Sequence, residues 1–317
     1  MNMNSEAIKT FCSHLCVGEG VTPLEPKEWS DLTEVLMKLK IQPADLLNYS
    51  AGDFSANLGV SEEYAARLAR LVDRSASLSF KLGEYENMGI NVVTRADAEY
   101  PLMLKKKLGN GCPPMFYYAG DISLLGEQCV GFVGSRTVND NDFAFTQKMV
   151  KAVAEQGYSV VSGGAKGVDS ISESAAFANE CPVVEYLCDS LGKRLRNGAT
   201  VRAVQDGKLL LLSVVKPDAG FNAGVAMMRN RYIYAHSQGT VVIKSDLEKG
   251  GTWNGATDAL KHGWCTVLCW NNAKYAGNLA LIKQGAIPID ESFSGEIPEL
   301  QKTEKTGQIS LFDDTDK

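Results

Sequence analysis

The sequence predicts an α/β protein in which helices cover both faces of a mostly parallel sheet, preceded by a helical N-terminal domain. From residue 129 to about residue 290, short apolar segments alternate with segments of helical character. The apolar segments show no alternation of polar and apolar residues, which indicates strands that are buried on both faces. Strand–helix alternation at this spacing predicts a doubly wound, Rossmann-like domain.

Six segments of this region are predicted as strands and six as helices. The strands are CVGFVG, YSVVSGG, PVVEYL, KLLLLSVV, TVVIKS and WCTVLCW. The helices lie at 142–155, 168–179, 200–206, 225–236, 252–262 and 279–284.

Residues 1–88 are predicted to form the helical N-terminal domain. One helix is expected to begin near residue 26, because a proline there suits the first helical turn. Apolar residues follow it at helical spacing, namely Trp29, Leu32, Leu36 and Leu39. A second helix is expected to begin at Ser61, whose hydroxyl can cap it.

Composition predicts the remaining segments. Residues 89–128 combine a strand candidate, INVVT, with a stretch dense in Pro, Gly and aromatic residues, which favours an irregular connection. We predict that the Rossmann-like domain, with this connection included, spans residues 89–290. Residues 291–317 are polar and acidic, and we expect them to be disordered.

Composition also excludes several classes of protein. No apolar run approaches the roughly 18 residues that span a bilayer, and the N-terminus resembles no secretory signal, so we expect a cytoplasmic protein without a membrane segment. The eight cysteines form no C-x-x-C pair and are expected to be reduced and buried, with no metal. The net charge is −6, but the last 30 residues hold eight acids and three lysines. The rest of the chain is thus nearly neutral and can present one basic face.

Three glycine-containing loops follow predicted strands: loop 1 (134–136), loop 2 (162–167) and loop 3 (249–252). The carboxyl ends of parallel strands meet at one edge of a sheet, so these loops are expected to lie together. Their backbone N–H groups and the helix N-termini beside them favour an anion, most often phosphate. The candidate binding residues are Gly134, Ser135, Arg136, Ser162, Gly163, Gly164, Lys166, Gly167, Gly250, Gly251 and Thr252.

Two further elements are candidates for the same site. Asp169 could act as a general base or bond the loop N–H groups, and the second role is favoured at a helix start. Arg229, Asn230 and Arg231 precede two tyrosines and suit a phosphate backbone with bases nearby. An equally open alternative is a buried helix whose arginines pair with acids across the domain.

The pattern of motifs in the sequence favours a binding protein over an enzyme. The loops match neither G-x-x-x-x-G-K-[ST] nor G-x-G-x-x-G, and no catalytic signature is present. We therefore expect no NTPase activity, no cofactor and no catalytic residue.

A set of motifs in fixed order resembles one family. The motifs are DAEYPLML, PPMFYYAG, VGSR, SGGAKGVD, RNR at 229–231, GGT at 250–252 and NLALIKQGA at 278–286. Between about residues 89 and 286, the chain resembles the DprA/Smf family of bacterial transformation and recombination. The resemblance implies a homodimeric Rossmann-like protein that binds single-stranded DNA without sequence preference and hands it to the RecA recombinase. It carries the DNA-binding role to the loop and RNR residues above, and leaves open whether the N-terminal helices contact DNA.

The chain departs from the family pattern at three places. Residues 172–173 are Ser-Glu where the family has Ala-His, the segment CDSLGKRLRN replaces a Gly-rich turn and a Tyr-Pro, and Lys244 replaces an acid. Either extra basic surface or a solvated loop would account for Lys193, Arg194 and Arg196. The neighbouring superfamily includes LOG-type phosphoribohydrolases and nucleotide-sensing domains. A nucleotide sensor or hydrolase that uses the same loops is therefore the alternative function.

The C-terminal segment holds a second candidate binding element. Residues Gln308, Ile309, Ser310, Leu311 and Phe312 resemble the Q-L-[SD]-L-F peptide by which bacterial DNA-repair proteins dock on the sliding clamp. In a flexible segment, Leu311 and Phe312 would anchor in an apolar pocket and Gln308 would form hydrogen bonds. The alternative is an ordinary disordered end.

Overall fold

The computed structural model describes residues 2–293 and residue 300. Within these residues the chain divides into two compact units, 2–118 with 214–217 and 119–213 with 218–293 and 300. Residues 89–118 thus group with the first unit by their contacts, while the domain boundary at residue 88 stays a prediction. The candidate clamp peptide at 308–312 lies outside the described residues.

The first unit is mostly helical, as predicted. Its helices are α1 (Met3–Cys12), α2 (Pro26–Leu39), α3 (Ala51–Leu58), α4 (Glu62–Asp73), α5 (Ser75–Asn87) and α6 (Leu102–Leu108). Proline begins α2, and the Ser61 hydroxyl accepts a hydrogen bond from the Tyr64 N–H at 3.2 Å at the start of α4, so both predicted helix starts are confirmed. Leu39 is 46% exposed because α2 ends there, so its predicted place on the apolar face is wrong.

An antiparallel strand pair corrects the prediction for residues 95–128. Strand β1 (Asn91–Thr94) is the predicted INVVT segment, and it pairs with β2 (Met115–Ala119), which the sequence predicts as irregular. Helix α6 lies between the two strands in the chain. The flanking prolines and glycines hide this strand from a composition argument, because its regularity comes from pairing with β1.

The second unit contains a parallel sheet, which confirms the predicted Rossmann-like fold class. Its strands are β3 (Cys129–Val133), β4 (Ser159–Ser162), β5 (Val183–Leu187), β6 (Leu209–Ser213), β7 (Gly239–Val242), β8 (Thr266–Trp270) and β9 (Ile287–Ile289). Their order is β6-β5-β4-β3-β7-β8-β9, and every neighbouring pair is parallel. Every residue of β3 to β7 is buried, as the lack of polar–apolar alternation predicts. The edge strand β9 is not among the predicted strands.

Seven helices accompany this sheet in the described part of the second unit. They are α7 (Asp140–Glu155), α8 (Val168–Ala178), α9 (Leu191–Arg194), α10 (Gly198–Gln205), α11 (Ala223–His236), α12 (Gly250–His262) and α13 (Ala276–Lys283). The chain runs from β3 outward to β6 and then returns to β7 on the other side of β3. The direction of winding therefore changes between β3 and β7, and doubly wound proteins bind ligands in the crevice above such a switch point.

All eight cysteines lie in the described part and are free thiols; seven are buried, whereas Cys16 is exposed. Leu300 is also buried, and a Cβ added at Gly239 would lie 2.5 Å from its Cδ2. None of the helices in the described residues has the length and apolar character required to span a membrane.

Candidate functional site

The three glycine loops lie side by side at the carboxyl edge of the second unit's sheet. Loops 1, 2 and 3 follow β3, β4 and β7, and together they line a cavity of about 550 Å³. Ten of the predicted residues line it: Gly134, Ser135, Arg136, Lys166, Asp169, Arg229, Asn230, Gly250, Gly251 and Thr252. The other predicted residues are not part of its lining: Ser162, Gly163, Gly164, Gly167 and Arg231.

Several loop glycines are required by close packing. A Cβ added at Gly134 would lie 2.5 Å from a Val168 methyl group, and one at Gly167 would lie 2.3 Å from the Ser135 carbonyl oxygen. Loops 1 and 2 therefore touch through their backbones. Ser162 is fully buried, with its hydroxyl 3.5 Å from that of Ser172, so its predicted role as a phosphate-facing hydroxyl is wrong.

Asp169 makes the structural contact that the sequence argument favours. Its Oδ2 accepts a hydrogen bond from the Ala165 N–H in loop 2 at 3.2 Å, and lies 3.4 Å from Arg229 Nη1. The Asp169 carboxylate is nearly buried. It therefore ties loop 2 to helix α11.

Arg229 is packed under loop 2 and is not on the surface. The residue is 4% exposed, and a Cβ added at Gly163 would lie 0.8 Å from its Nη1. Gly163 is therefore the residue that admits the guanidinium. For Arg229 the structure matches the alternative of a buried arginine paired with an acid, and direct phosphate binding is not what this geometry favours.

Asn230 and Arg231, the other two residues of the RNR segment, also contact other parts of the protein. A Cβ added at Gly251 would lie 2.5 Å from Asn230 Nδ2, so Asn230 packs against loop 3. Arg231 is about half exposed, and its Nη2 lies 3.0 Å from Asp258 Oδ2 on α12. Tyr232 and Tyr234 are buried, which matches the alternative of a buried helix.

Two lysines of the cavity were not among the predicted site residues. Lys249 is exposed at the start of loop 3, and Lys244 follows β7. Lys244 Nζ donates to the Thr137 carbonyl oxygen at 3.0 Å and lies 3.3 Å from Asp142 Oδ2. Its place directly after a strand that ends at the carboxyl edge is the signal by which it could have been found.

An apolar wall closes one side of the cavity. It includes Phe221, Ala223, Ala226 and Met227. The Phe221 ring is 58% exposed, and the Arg136 guanidinium carbon lies 5.6 Å from its centroid. No periodic pattern in the sequence marks this wall, because Phe221 stands in an irregular segment before α11.

Two of the three departures from the family pattern, at residues 172–173 and in the segment CDSLGKRLRN, meet in one cluster of ionisable side chains under loop 2. Arg194 Nη2 lies 3.3 Å from Glu173 Oε1 and also contacts Glu185 Oε2. Glu185 is fully buried, its Oε1 has no hydrogen-bond partner in the described part of the chain, and a Cβ added at Gly164 would lie 2.8 Å from its Oε2. Burial is the main cause that raises the pKa of Glu185, and the nearby Glu173 adds to it while Arg194 opposes it, so that the pKa is about 8. Arg194 is thus engaged in this cluster and matches neither of the two alternatives, extra basic surface or a solvated loop.

The electrostatics of the cavity favour an anion. Five cationic side chains line it, against the two carboxylates of Asp169 and Asp246. The N-termini of α8 and α12 lie at loops 2 and 3, where helix dipoles add partial positive charge. The arrangement can hold phosphate groups on one side and an apolar group on the other.

This fold and cavity define a Rossmann-like protein with a cavity rich in cationic side chains. A family model described as DNA recombination-mediator protein A matches residues 91–295, and the chain belongs to that family. DNA processing protein DprA of Bacillus subtilis (strain 168) is 28% identical over 226 residues, which are 69% of this chain and 75% of that protein. The resemblance predicted from the motifs is therefore confirmed.

Two solved structures share the fold. The X-ray structure of DNA processing protein A (DprA) from Streptococcus pneumoniae matches with a TM-score of 0.68 at 20% identity, over 90% of this chain and 92% of that chain. DNA processing protein A from Helicobacter pylori, described for its unique single-stranded DNA binding mode, matches with a TM-score of 0.51 at 24% identity, over 62% of this chain and 90% of that chain.

Proposed function

We propose that the chain binds single-stranded DNA at the carboxyl-edge cavity and acts as a recombination mediator without catalysis. The observation that carries this proposal is the convergence of three glycine loops on a concave surface rich in cations. Single-stranded nucleic acid binds grooves that combine positive charge along the backbone with aromatic faces for the bases. The exposed Phe221 ring beside Arg136 offers such a face. Family membership and the DNA-binding mode described for the H. pylori protein support the same function.

Fluorescence anisotropy with a labelled unstructured oligonucleotide tests this function. The variant Arg136→Ala/Lys166→Ala removes two exposed cations at the cavity and should weaken binding by more than about tenfold at low salt. The control Lys151→Ala/Lys208→Ala removes the same charge from surface ion pairs outside the cavity. Equal losses in both variants would mean that only net charge matters, and would contradict this site.

We further propose that the bound DNA is handed to a RecA-type recombinase by a homodimer of this chain. Family membership supports this step. The test follows recombinase filament growth on DNA covered with single-strand-binding protein. The wild-type protein should shorten the lag and Arg136→Ala/Lys166→Ala should not, while light scattering measures the oligomeric state. An unchanged lag with normal DNA binding would contradict the handover.

The apolar wall of the cavity favours a second candidate function, a nucleotide sensor or phosphoribohydrolase. A volume of about 550 Å³ is within the range of small-molecule sites. A mononucleotide that fits should raise the melting temperature by mass action, and a hydrolase would release free base. If no nucleotide shifts the melting temperature while an oligonucleotide binds tightly, this candidate is removed.

We also propose that residues 308–312, which lie outside the described residues, dock on the sliding clamp. Deletion of 308–312 should abolish capture of the clamp and leave oligonucleotide binding unchanged. If the full chain never captures the clamp, the match is accidental.

A further inference from the structure

We infer that Arg229 and Asn230 are positioning residues that join loop 2 to loop 3, and that phosphate contacts fall to Arg136, Lys166 and Lys249. This division of roles rests on the proposed DNA-binding function. It replaces the simpler idea that the RNR segment itself holds the DNA backbone.

Arg229 reaches loop 2 by two contacts. Its guanidinium occupies the space over Gly163 that a methyl group would fill, and it lies 3.4 Å from the Asp169 carboxylate. Asp169 in turn accepts the Ala165 N–H. Arg229 therefore fixes the loop backbone through Asp169, from a position where only 4% of the residue is exposed.

Asn230 reaches loop 3 from the next position of the same helix. Successive residues of an α-helix point about 100° apart, so neighbours in the chain can contact two different loops. The Asn230 side-chain amide lies against Gly251, where a Cβ would be only 2.5 Å from Nδ2. Loops 2 and 3 are thus held at a set separation by two consecutive side chains of α11.

Lys244 completes this arrangement at loop 1. Its ammonium group donates to the Thr137 carbonyl oxygen directly after loop 1 and lies beside the buried Asp142. In contrast, Arg136, Lys166 and Lys249 are exposed, and within the described residues none of them pairs with a carboxylate. These three side chains are the ones free to neutralise phosphates.

The salt dependence of DNA binding separates the two roles. Each lost phosphate contact on a single strand makes the slope of log K against log salt shallower by about 0.7. Arg136→Ala and Lys166→Ala should each show that change. Arg231→Ala, in the same RNR segment but outside the cavity wall, should leave affinity and slope unchanged. A shallower slope for Arg231→Ala would overturn the inference, because it would place the RNR segment on the DNA backbone.

A double-mutant cycle tests the path from Arg229 through Asp169. Arg229→Met and Asp169→Asn should each weaken oligonucleotide binding, and the double variant should bind no more weakly than the poorer single variant. Coupling of this kind is expected only for residues that act through one another. Additive losses would indicate that Arg229 contacts DNA independently and would overturn the inference.

Amide hydrogen exchange in the DNA-free protein supplies a readout that does not depend on binding. Arg229→Met should speed exchange in loop 2, and Asn230→Ala should speed it in loop 3, whereas Arg136→Ala should change neither. Asn230→Ala removes no charge, so it still tests the positioning role if Arg229→Met does not fold. Unchanged exchange in both loops would overturn the positioning role. If exchange changes as expected but no variant alters DNA binding, the positioning role stands and the proposed DNA-binding function fails.

Discussion

Neighbouring glycines of loop 2 serve different physical purposes. Gly163 leaves room for the Arg229 guanidinium, whereas Gly164 has φ +64° and covers the buried Glu185 carboxylate. A glycine-rich loop at a strand end suggests phosphate binding, but here two of its glycines accommodate buried ionisable side chains of the protein itself. The composition of the loop therefore predicts the location of the site better than the role of each residue.

Gly163→Ala should displace Arg229 and destabilise the protein. A methyl group 0.8 Å from Nη1 cannot be accommodated, so the guanidinium must leave the Asp169 carboxylate. Overpacking of this kind costs about 1–3 kcal/mol. Urea denaturation measures the loss. The control Gly198→Ala adds a methyl group at the start of α10, where the nearest atom is 4.0 Å away, and should be nearly neutral. Equal stability of the two variants would contradict this packing.

The buried Glu185 should make stability depend on pH. Its pKa is about 8 in the folded state against an ordinary value of 4.5, so between these values the folded protein holds a proton that the unfolded chain has released. The free energy of unfolding should therefore fall as pH rises across this window, by at most about 1.4 kcal/mol per pH unit. Glu185→Gln, which is neutral throughout, should flatten the profile. Urea midpoints between about pH 5 and about pH 8 test this, and parallel profiles for the two proteins would contradict it.

At the scale of elements, the sheet strands are predictable and the joining segment is not. The strands β3 to β8 carry mostly apolar sequences without polar–apolar alternation because both faces are buried, so residue type alone marks them. The strand β2 lies in a segment with three prolines, several glycines and a three-lysine run, and only its pairing with β1 makes it regular. Long-range pairing of this kind leaves no local signal.

Lys244 contacts both the backbone directly after loop 1 and helix α7 from its place after β7, so its substitution tests the packing between these three elements. It follows β7, donates to the backbone after loop 1 and lies 3.3 Å from the fully buried Asp142 of α7. Lys244→Met should leave that carboxylate without its cation and cost about 2 kcal/mol. The control Lys151→Met breaks an exposed pair with Glu155 on the same helix and should cost less than about 0.5 kcal/mol. Thermal or urea unfolding of both variants measures the two losses of stability. A larger loss of stability for Lys151→Met than for Lys244→Met would contradict this account.

At the scale of the whole molecule, the candidate binding loops lie at one edge of the second unit's sheet. Parallel strands send their loops to the same edge, so the meeting of loops 1, 2 and 3 follows from the strand–helix alternation of the sequence. The orientation of the RNR segment does not follow from it. Arginines of a helix can face a ligand or a neighbouring acid, and only the packed structure shows that Arg229 faces Asp169 while Arg231 faces Asp258.

Photocrosslinking tests the location of the DNA site most directly. Benzoylphenylalanine introduced at Phe221, in the cavity wall, should crosslink to a labelled single-stranded oligonucleotide in a salt-sensitive manner. The same group introduced at Phe80, an exposed position on α5 that is 73% accessible, is the control and should crosslink weakly. Strong crosslinking from Phe80 with none from Phe221 would contradict the claim that the carboxyl-edge cavity binds the DNA.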